Sequence, residues 1–200
     1  NYDEAQKNLS EAMGLARDLQ NKTLIAQILN FQGDAFFYRG DLRQASDLFA
    51  QAVKASSSPD VEKGVALLSQ YNLAKCAVEE KRSPPLPQLK ALVRSADAAG
   101  LKNVSTAATL TLAEALINAR QYPAAKSELQ AALASSDKLG LQVQQARAQY
   151  LLGRALEAAG DGSEAASHYA AAKRALQSIR QESGSDTLLK RQDLSAIAAR

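Results

Sequence analysis

One spacing pattern occurs four times in the chain and restricts it to a helical repeat. In the clearest copy a small residue, Gly33, is followed by Phe36, Ala45, Phe49 and Ala52. The other copies are Gly153, Leu156, Ala165, Tyr169 and Ala172; Ala113, Leu116, Ala125, Leu129 and Ala132; and Ala74, Ala77, Leu89, Val93 and Ala96. Residues three, four and seven apart share one face of a helix. The four copies therefore predict four helix pairs. Gly33 and Gly153 are expected to be small because the partner helix crosses there, with Phe36, Leu116 and Leu156 packed against Phe49, Leu129 and Tyr169 of the second helices.

The distances between copies show where the pattern is regular and where it changes. The anchors at positions 33, 74, 113 and 153 are 41, 39 and 40 residues apart. The step from the anchor to the next helix is 12 residues in three copies and 15 in the second. That second copy contains Ser83-Pro-Pro-Leu-Pro87, which cannot continue a helix because proline lacks the backbone N–H. We expect an extended connection there.

Each copy resembles the tetratricopeptide repeat (TPR) signature, in which W-x2-L-G-x2-Y is followed by A-x3-F and a further alanine, although none keeps the tryptophan. The resemblance runs from Ala5, Leu9 and Ala12, which are similar to the second half of a repeat, to about residue 182. The long spacing resembles the subgroup of about 40 residues per repeat found in kinesin light chains and in bacterial sensor and activator proteins. It implies an all-α, right-handed solenoid of antiparallel helix pairs.

Turn residues divide this array into about ten helices. The 40 alanines among 200 residues favour helix throughout. Glycines at 40 and 160 are suited to ending helices, Asp41 or Ser163 to capping the next, and Pro123 to a first helical position. The predicted helices are 2–20, 22–39, 42–56, 60–81, 86–99, 102–120, 123–138, 142–159, 163–182 and 186–198. They form a partial repeat at 1–20, repeats at 22–56, 60–99, 102–138 and 142–182, and a capping helix within 183–200, so the array spans 1–182.

The first residues read as the middle of a repeat, without a starting methionine. We expect the chain to be a fragment of a larger protein. The helix at 2–20 would then lack its partner, which leaves Tyr2, Leu9 and Met13 as candidates for exposure or for self-association.

Composition and charge argue against several function classes. The 24 basic and 21 acidic residues are interspersed, whereas a nucleic-acid surface needs clustered basic residues. No stretch reaches the ~20 apolar residues of a membrane span. His168 and Cys76 are the only histidine and cysteine, so neither a zinc site nor a Cys-His pair is expected, and the lone cysteine favours a reducing compartment such as the cytoplasm. Gly160-Asp-Gly-Ser163 lacks the lysine of a phosphate loop. We predict no enzymatic activity, cofactor or metal.

The resemblance also implies a binding surface, because TPR proteins line a concave groove with the first helix of each pair. The corresponding positions in this chain are Asn30, Asp34, Tyr38, Tyr71, Asn72, Lys75, Glu114, Asn118, Arg147, Tyr150 and Arg154. Amide, hydroxyl and aromatic groups at successive turns suit an extended peptide. Of the five positions that clamp a chaperone-tail carboxylate in some TPR modules, only Asn72 agrees. Arg147 and Arg154, two helical turns apart, could instead pair with an acidic group of a ligand.

The leading hypothesis is therefore a non-enzymatic scaffold that binds a protein or peptide segment, with neither nucleic acid nor membrane as partner. The alternative is a ligand-responsive regulatory domain of a bacterial signalling enzyme or transcription activator. A kinase, cyclase or DNA-binding domain ahead of residue 1 would favour the alternative, and further repeats there would favour the scaffold.

Overall fold

The computed structural model describes residues 2–82, 86–181 and 191–199, and these residues form ten helices and no strand. The helices are α1 (Tyr2–Asp18), α2 (Lys22–Arg39), α3 (Leu42–Ala55), α4 (Lys63–Glu79), α5 (Leu86–Ala98), α6 (Lys102–Asn118), α7 (Tyr122–Leu139), α8 (Gln142–Ala159), α9 (Gly162–Arg180) and α10 (Gln192–Ala198). The first nine agree with the predicted bounds to within three residues. The predicted start of the last helix, at 186, lies outside the described residues.

The turns between paired helices share one backbone feature. The residue seven positions after each anchor has a positive φ, which is 88° at Gly40, 57° at Lys81, 58° at Arg120 and 93° at Gly160. Two copies meet this requirement with glycine, which adopts left-handed backbone without a steric cost, and two with a long basic residue. The positive φ therefore recurs in all four repeats, including the two in which the residue is not glycine.

Helix starts match the predicted caps in part. Asp41 accepts a hydrogen bond from the backbone N–H of Gln44 at 3.2 Å, as a capping aspartate should. At the start of α9 the cap is Asp161, which accepts from Glu164 N–H at 3.3 Å, so the prediction of Ser163 as the cap was wrong. In both places the capping aspartate directly follows the left-handed glycine, Asp41 after Gly40 and Asp161 after Gly160. Pro123 occupies the second helical position rather than the first, because α7 begins at Tyr122.

The chain divides into two compact units, and unit 1 comprises residues 1–82. Within it α1 packs on α2, α2 on α3, α3 on α4, and α2 also on α4. Phe49 is fully buried against α2, where a Cβ on Gly33 would lie 2.4 Å from its ring Cε1. This close approach confirms why the first anchor must be small.

The expected exposure of Met13 in the N-terminal helix was wrong. Met13 is only 6% exposed and packs with Leu29 and Ala52, and Leu9 is half-buried against the same cluster. The exposed leucines of this segment are instead Leu15 and Leu19. Met13 is therefore a core residue rather than a candidate for exposure, because α2 and α3 together cover that face of α1. The side chain of Tyr2 lies outside the described part of the chain.

Unit 2 comprises residues 83–200 and contains α5 to α10. Consecutive helices from α5 to α9 pack on each other, and α6 also packs on α8. In the last pair a Cβ on Gly153 would lie 2.6 Å from Cε1 of Tyr169, which repeats the contact of Gly33 with Phe49. The helix α10 contacts α8 and α9 and buries Leu194 and Ile197 beside Leu176.

Candidate functional site

The position that follows each anchor carries a charge whose sign alternates along the chain: Asp34, Lys75, Glu114 and Arg154. Within unit 1 the ammonium Nζ of Lys75 lies 3.0 Å from Oδ1 of Asp34. Within unit 2 the guanidinium Nη1 of Arg154 lies 2.7 Å from Oε1 of Glu114. Each pair joins the first helices of two successive repeats. All four residues were candidates in the sequence, and the alternation at one repeat's spacing is the signal that pairs them.

In unit 1 the cation of this pair sits in a box of aromatic rings. The Nζ of Lys75 lies 4.1 Å from the ring centroid of Phe37, 5.2 Å from that of Tyr38, 5.5 Å from that of Phe49 and 5.6 Å from that of Tyr71. An ammonium within about 6 Å of a ring is attracted by the negative face of the π-system. Lys75 is 5% exposed, so the box stabilises a buried positive charge.

The protonation state of Lys75 follows from competing effects. Burial lowers its pKa, because the charged ammonium loses hydration. The electrostatic influence of Tyr71, Asp34 and Tyr38, together with the hydrogen bond to Asp34, outweighs burial and raises the pKa above its ordinary value. Lys75 is therefore charged at neutral pH, and Asp34 is its counter-ion.

Two more of the candidates tie α2 to α4 in the interior of unit 1. The amide Nδ2 of Asn72 donates to Oδ1 of Asn30 at 3.1 Å, and Nδ2 of Asn30 donates to the hydroxyl of Ser69 at 2.8 Å. Ser69 in turn donates to the carbonyl oxygen of Val65. Asn30 and Asn72 are 1% and 2% exposed, so a peptide cannot reach their amides in this conformation. Ser69 was not a candidate in the sequence, although its place one turn before Asn72 puts it on the same face.

Unit 2 presents a more accessible arrangement along α6 and α8. Glu114 of α6 lies between two arginines of α8, with Arg154 at 2.7 Å and Arg147 at 3.9 Å. The side chain of Arg154 is 31% exposed, against 6% for Lys75 in unit 1. We define the α6–α8 face as Glu114, Asn118, Arg147, Tyr150 and Arg154.

The other two members of the α6–α8 face flank the ion pairs. Asn118 lies one turn beyond Glu114 and is exposed. Tyr150 is half-buried, and its ring centroid lies 5.8 Å from that of Tyr169. The hydroxyl of Tyr169 donates to Glu157, so this ring is held at both its face and its tip. The face thus combines charge, an amide and part of an aromatic ring.

The chain's only histidine and only cysteine both have structural partners. The Nδ1 of His168 lies 2.7 Å from the amide oxygen of Gln149, and Nε2 lies 3.9 Å from Glu164, which also binds Lys126. Cys76 is buried, its thiol donates to the carbonyl oxygen of Leu42, and burial raises its pKa to about 11. A thiol with this pKa is a poor nucleophile at neutral pH.

The described residues contain no group of three or more His, Cys, Asp or Glu side chains that could hold a metal ion. None of the helices they form has the length and apolar character needed to cross a bilayer.

Comparison with known proteins places the chain in a family. A profile described as Tetratricopeptide repeat matches residues 32–84 and 110–178, which together exceed half of the chain. The chain belongs to the tetratricopeptide repeat family. The two matched segments contain all four TPR anchors, so the family predicted from their spacing is confirmed.

A solved structure supports the fold. The crystal structure of BtubC (BKLC) from P. vanneervenii matches with a TM-score of 0.66 at 17% sequence identity, over 99% of this chain and 82% of that one. At this identity the likeness shows the fold alone. No curated protein sequence matches the chain. TPR repeats generally mediate protein–protein interactions and are typically non-enzymatic scaffolds.

Proposed function

We propose that the chain is a non-enzymatic interaction module that binds a peptide or protein segment through the α6–α8 face of unit 2. The observation that carries this proposal is the accessible Arg154–Glu114 pair, since Arg154 is 31% exposed. The matching cation in unit 1 is enclosed by rings and is not available to a ligand.

The chemistry of this face suits a peptide with an acidic side chain. A guanidinium presents its donors in a fixed fork that matches a carboxylate, and Nη1 of Arg154 already donates to Oε1 of Glu114 at 2.7 Å. A ligand carboxylate can share Arg154 with Glu114, because the side chain of Arg154 is 31% exposed and its hydrogen bond to Glu114 leaves other guanidinium N–H groups to donate. Binding then replaces solvent around the exposed part of Arg154 by a charge-assisted hydrogen bond.

The neighbouring groups supply what a peptide backbone needs. Asn118 offers an amide that both donates and accepts hydrogen bonds, and it is exposed one turn from Glu114. Tyr150 offers a flat, half-buried ring against which an apolar side chain can pack. The face therefore favours a short extended segment that carries an acidic residue beside an apolar one.

Selection of random linear peptides displayed on phage against the immobilised chain tests this function. Fluorescence anisotropy then measures the affinity of a selected, labelled peptide for the chain and its variants. We expect Arg154→Gln and Asn118→Ala each to weaken binding about tenfold, the loss typical of a central contact. Glutamine is preferable to glutamate at position 154, because a second carboxylate beside Glu114 would repel it and disturb the fold.

The matched control is Arg174→Gln, which removes the same charge from an exposed position on α9. This variant should bind the selected peptide as the unchanged chain does. Failure to select any peptide, or a selected peptide that binds Arg154→Gln and Asn118→Ala as tightly as it binds the unchanged chain, would contradict the proposal.

A further inference from the structure

Unit 1 contains a concave surface that shares no residue with the α6–α8 face. It is a recess of about 670 Å³ lined by α1, α2, α3 and the turn after α3. Ligand-binding cavities commonly measure roughly 300–1,000 Å³, so the recess has the size of a binding site. Its two parts, a basic rim and an apolar floor, come from different positions on the same helices.

The rim is basic because three helix ends meet there. Since α1, α2 and α3 are consecutive packed helices joined by short turns, the end of α1, the start of α2 and the end of α3 lie together. Each contributes one cation from its terminal turn: Arg17, Lys22 and Lys54. All three are exposed, and no aspartate or glutamate is among the described residues that line the recess.

Two of these three cations have no acidic partner among the described residues. Lys22 donates to Ser58 at 2.8 Å and lies 3.7 Å from Asp60. Arg17 and Lys54 form no ion pair with any residue in the described ranges 2–82, 86–181 and 191–199. Both also oppose the partial negative charge at the ends of α1 and α3. This stabilisation of the helix ends would not require a recess between the two side chains.

The floor is apolar because core residues that neighbour these cations on α1 and α2 also line the recess. Met13 lies one turn before Arg17 on α1, and Ile25 and Leu29 follow Lys22 on α2. Met13 and Leu29 are buried at 6% and 7% exposure, and Ile25 is half-buried. An apolar side chain that enters here would leave water and would cover chiefly the exposed part of Ile25, because little of Met13 and Leu29 remains exposed.

We infer that this recess binds an acidic peptide segment, with a leucine-like side chain on the floor of Met13, Ile25 and Leu29 and flanking carboxylates on Arg17 and Lys54. Charge complementarity selects the acidic partner, because the described lining residues include three cations and no carboxylate, and of the three only Lys22 has an acidic partner, Asp60, in the described part of the chain. A peptide fits better than an anionic membrane, since lipid-binding clusters hold four to eight basic residues and this rim holds three. The hydroxyl of Ser57 and the amide of Gln51, also at the recess, can serve the peptide backbone.

Titration of the full chain with a fluorescein-labelled peptide, Asp-Glu-Leu-Glu-Asp, tests the assignment by anisotropy at low and moderate salt. Two comparison peptides replace the leucine by serine, or every acidic residue by its amide. We expect Arg17→Gln with Lys54→Gln to weaken binding of the acidic peptide at least about tenfold. Both comparison peptides should bind more weakly than the parent.

The control pair is Lys7→Gln with Arg43→Gln, which makes the same charge change on the same two helices, at their opposite ends. Because Lys7 lies ten residues from Arg17, about 15 Å along α1, this control should leave the affinity unchanged. If both double variants lost the same affinity for the acidic peptide, net charge alone would explain the loss. That result would overturn the site. Equal binding of the leucine and serine peptides would overturn the role of the floor.

Sedimentation with phosphatidylserine vesicles separates the other partner class. Binding to these vesicles without binding to the peptide would overturn the proposal in favour of a membrane surface. Binding to neither would leave the cations with their helix-end role alone and would equally overturn it. Neither result bears on the α6–α8 face, because none of its residues lines the recess.

Discussion

The two units use the same repeat position for an ion pair, but they surround it differently. In unit 1 the pair is Asp34 with Lys75, and the cation is 5% exposed. In unit 2 the pair is Glu114 with Arg154, and the side chain of Arg154 is 31% exposed. One spacing has therefore produced an interior contact in one unit and an accessible contact in the other.

The residues around the two pairs explain the difference. The box around Lys75 contains Phe37, Tyr38, Phe49 and Tyr71. The positions that correspond to these four around Arg154 hold Ile117, Asn118, Leu129 and Tyr150. Three aromatic residues are thus replaced by two aliphatic residues and an amide, and only the tyrosine remains. The cation enclosed by rings is shielded from solvent, whereas Arg154, beside an exposed amide, stays partly accessible, as the proposed binding role requires.

Removing the acidic partner in each unit should give the largest contrast. Asp34→Asn leaves the buried ammonium of Lys75 without its counter-ion, which should lower the free energy of unfolding by about 3 kcal/mol. Glu114→Gln leaves Arg154, which water can still reach, and Arg147, which lies farther away at 3.9 Å, so the loss should be smaller, about 1–2 kcal/mol. Urea unfolding followed by circular dichroism measures both losses. Similar losses in the two variants would show that the rings do not isolate Lys75 from water.

A double variant shows whether the cost of Asp34→Asn comes from the orphaned charge. Lys75→Met removes the charge and keeps an unbranched chain among the rings, where a thioether packs well. Asp34→Asn with Lys75→Met should therefore recover most of the lost stability, since buried ion pairs can often be replaced by apolar residues of similar volume. A double variant as unstable as Asp34→Asn alone would assign the loss to the carboxylate's other contacts.

The two glycine anchors should differ less, though in the same direction. A Cβ on Gly33 would meet Cε1 of Phe49 at 2.4 Å, and Phe49 is fully buried and cannot move away. A Cβ on Gly153 would meet Cε1 of Tyr169 at 2.6 Å, but that ring is half-buried and can shift outward. Overpacking typically costs about 1–3 kcal/mol, so we expect Gly33→Ala near the upper value and Gly153→Ala near the lower.

Gly14→Ala is the control for the helix propensity that both anchor variants gain. Gly14 lies in α1 with no other atom within 4 Å of an added Cβ. This variant should therefore be more stable than the unchanged chain by about 0.5–1 kcal/mol. The thermal midpoint of each variant measures these effects. If Gly33→Ala gained stability as Gly14→Ala does, the close contact with Phe49 would be absent in solution.

The spacing in the sequence was sufficient for the helix pairs and their anchors, because backbone period and side-chain size decide both. The same positions predicted the polar candidates correctly as first-helix residues of each repeat, without showing which are accessible. The burial of Asn30, Asn72 and Lys75 depends on how α2 packs against α4. That packing is decided by many side chains together, so no single position in the sequence reveals it. The repeat pattern also did not predict the basic rim of the recess, because Arg17 and Lys54 lie on different helices and outside the repeat signature.

The smallest effect concerns the turn position that both units share. Arg120 has a φ of 58° where the next repeat has Gly160 with 93°. Left-handed backbone costs a non-glycine residue about 1–2 kcal/mol, while glycine loses roughly 0.5–1 kcal/mol more entropy on folding. Arg120→Gly should therefore raise the free energy of unfolding by about 0.5 kcal/mol, and Gly160→Ala should lower it by about 1 kcal/mol. Opposite signs in urea titrations of the two variants would show that the repeat imposes this φ, because a turn free to relax would give Arg120→Gly no gain.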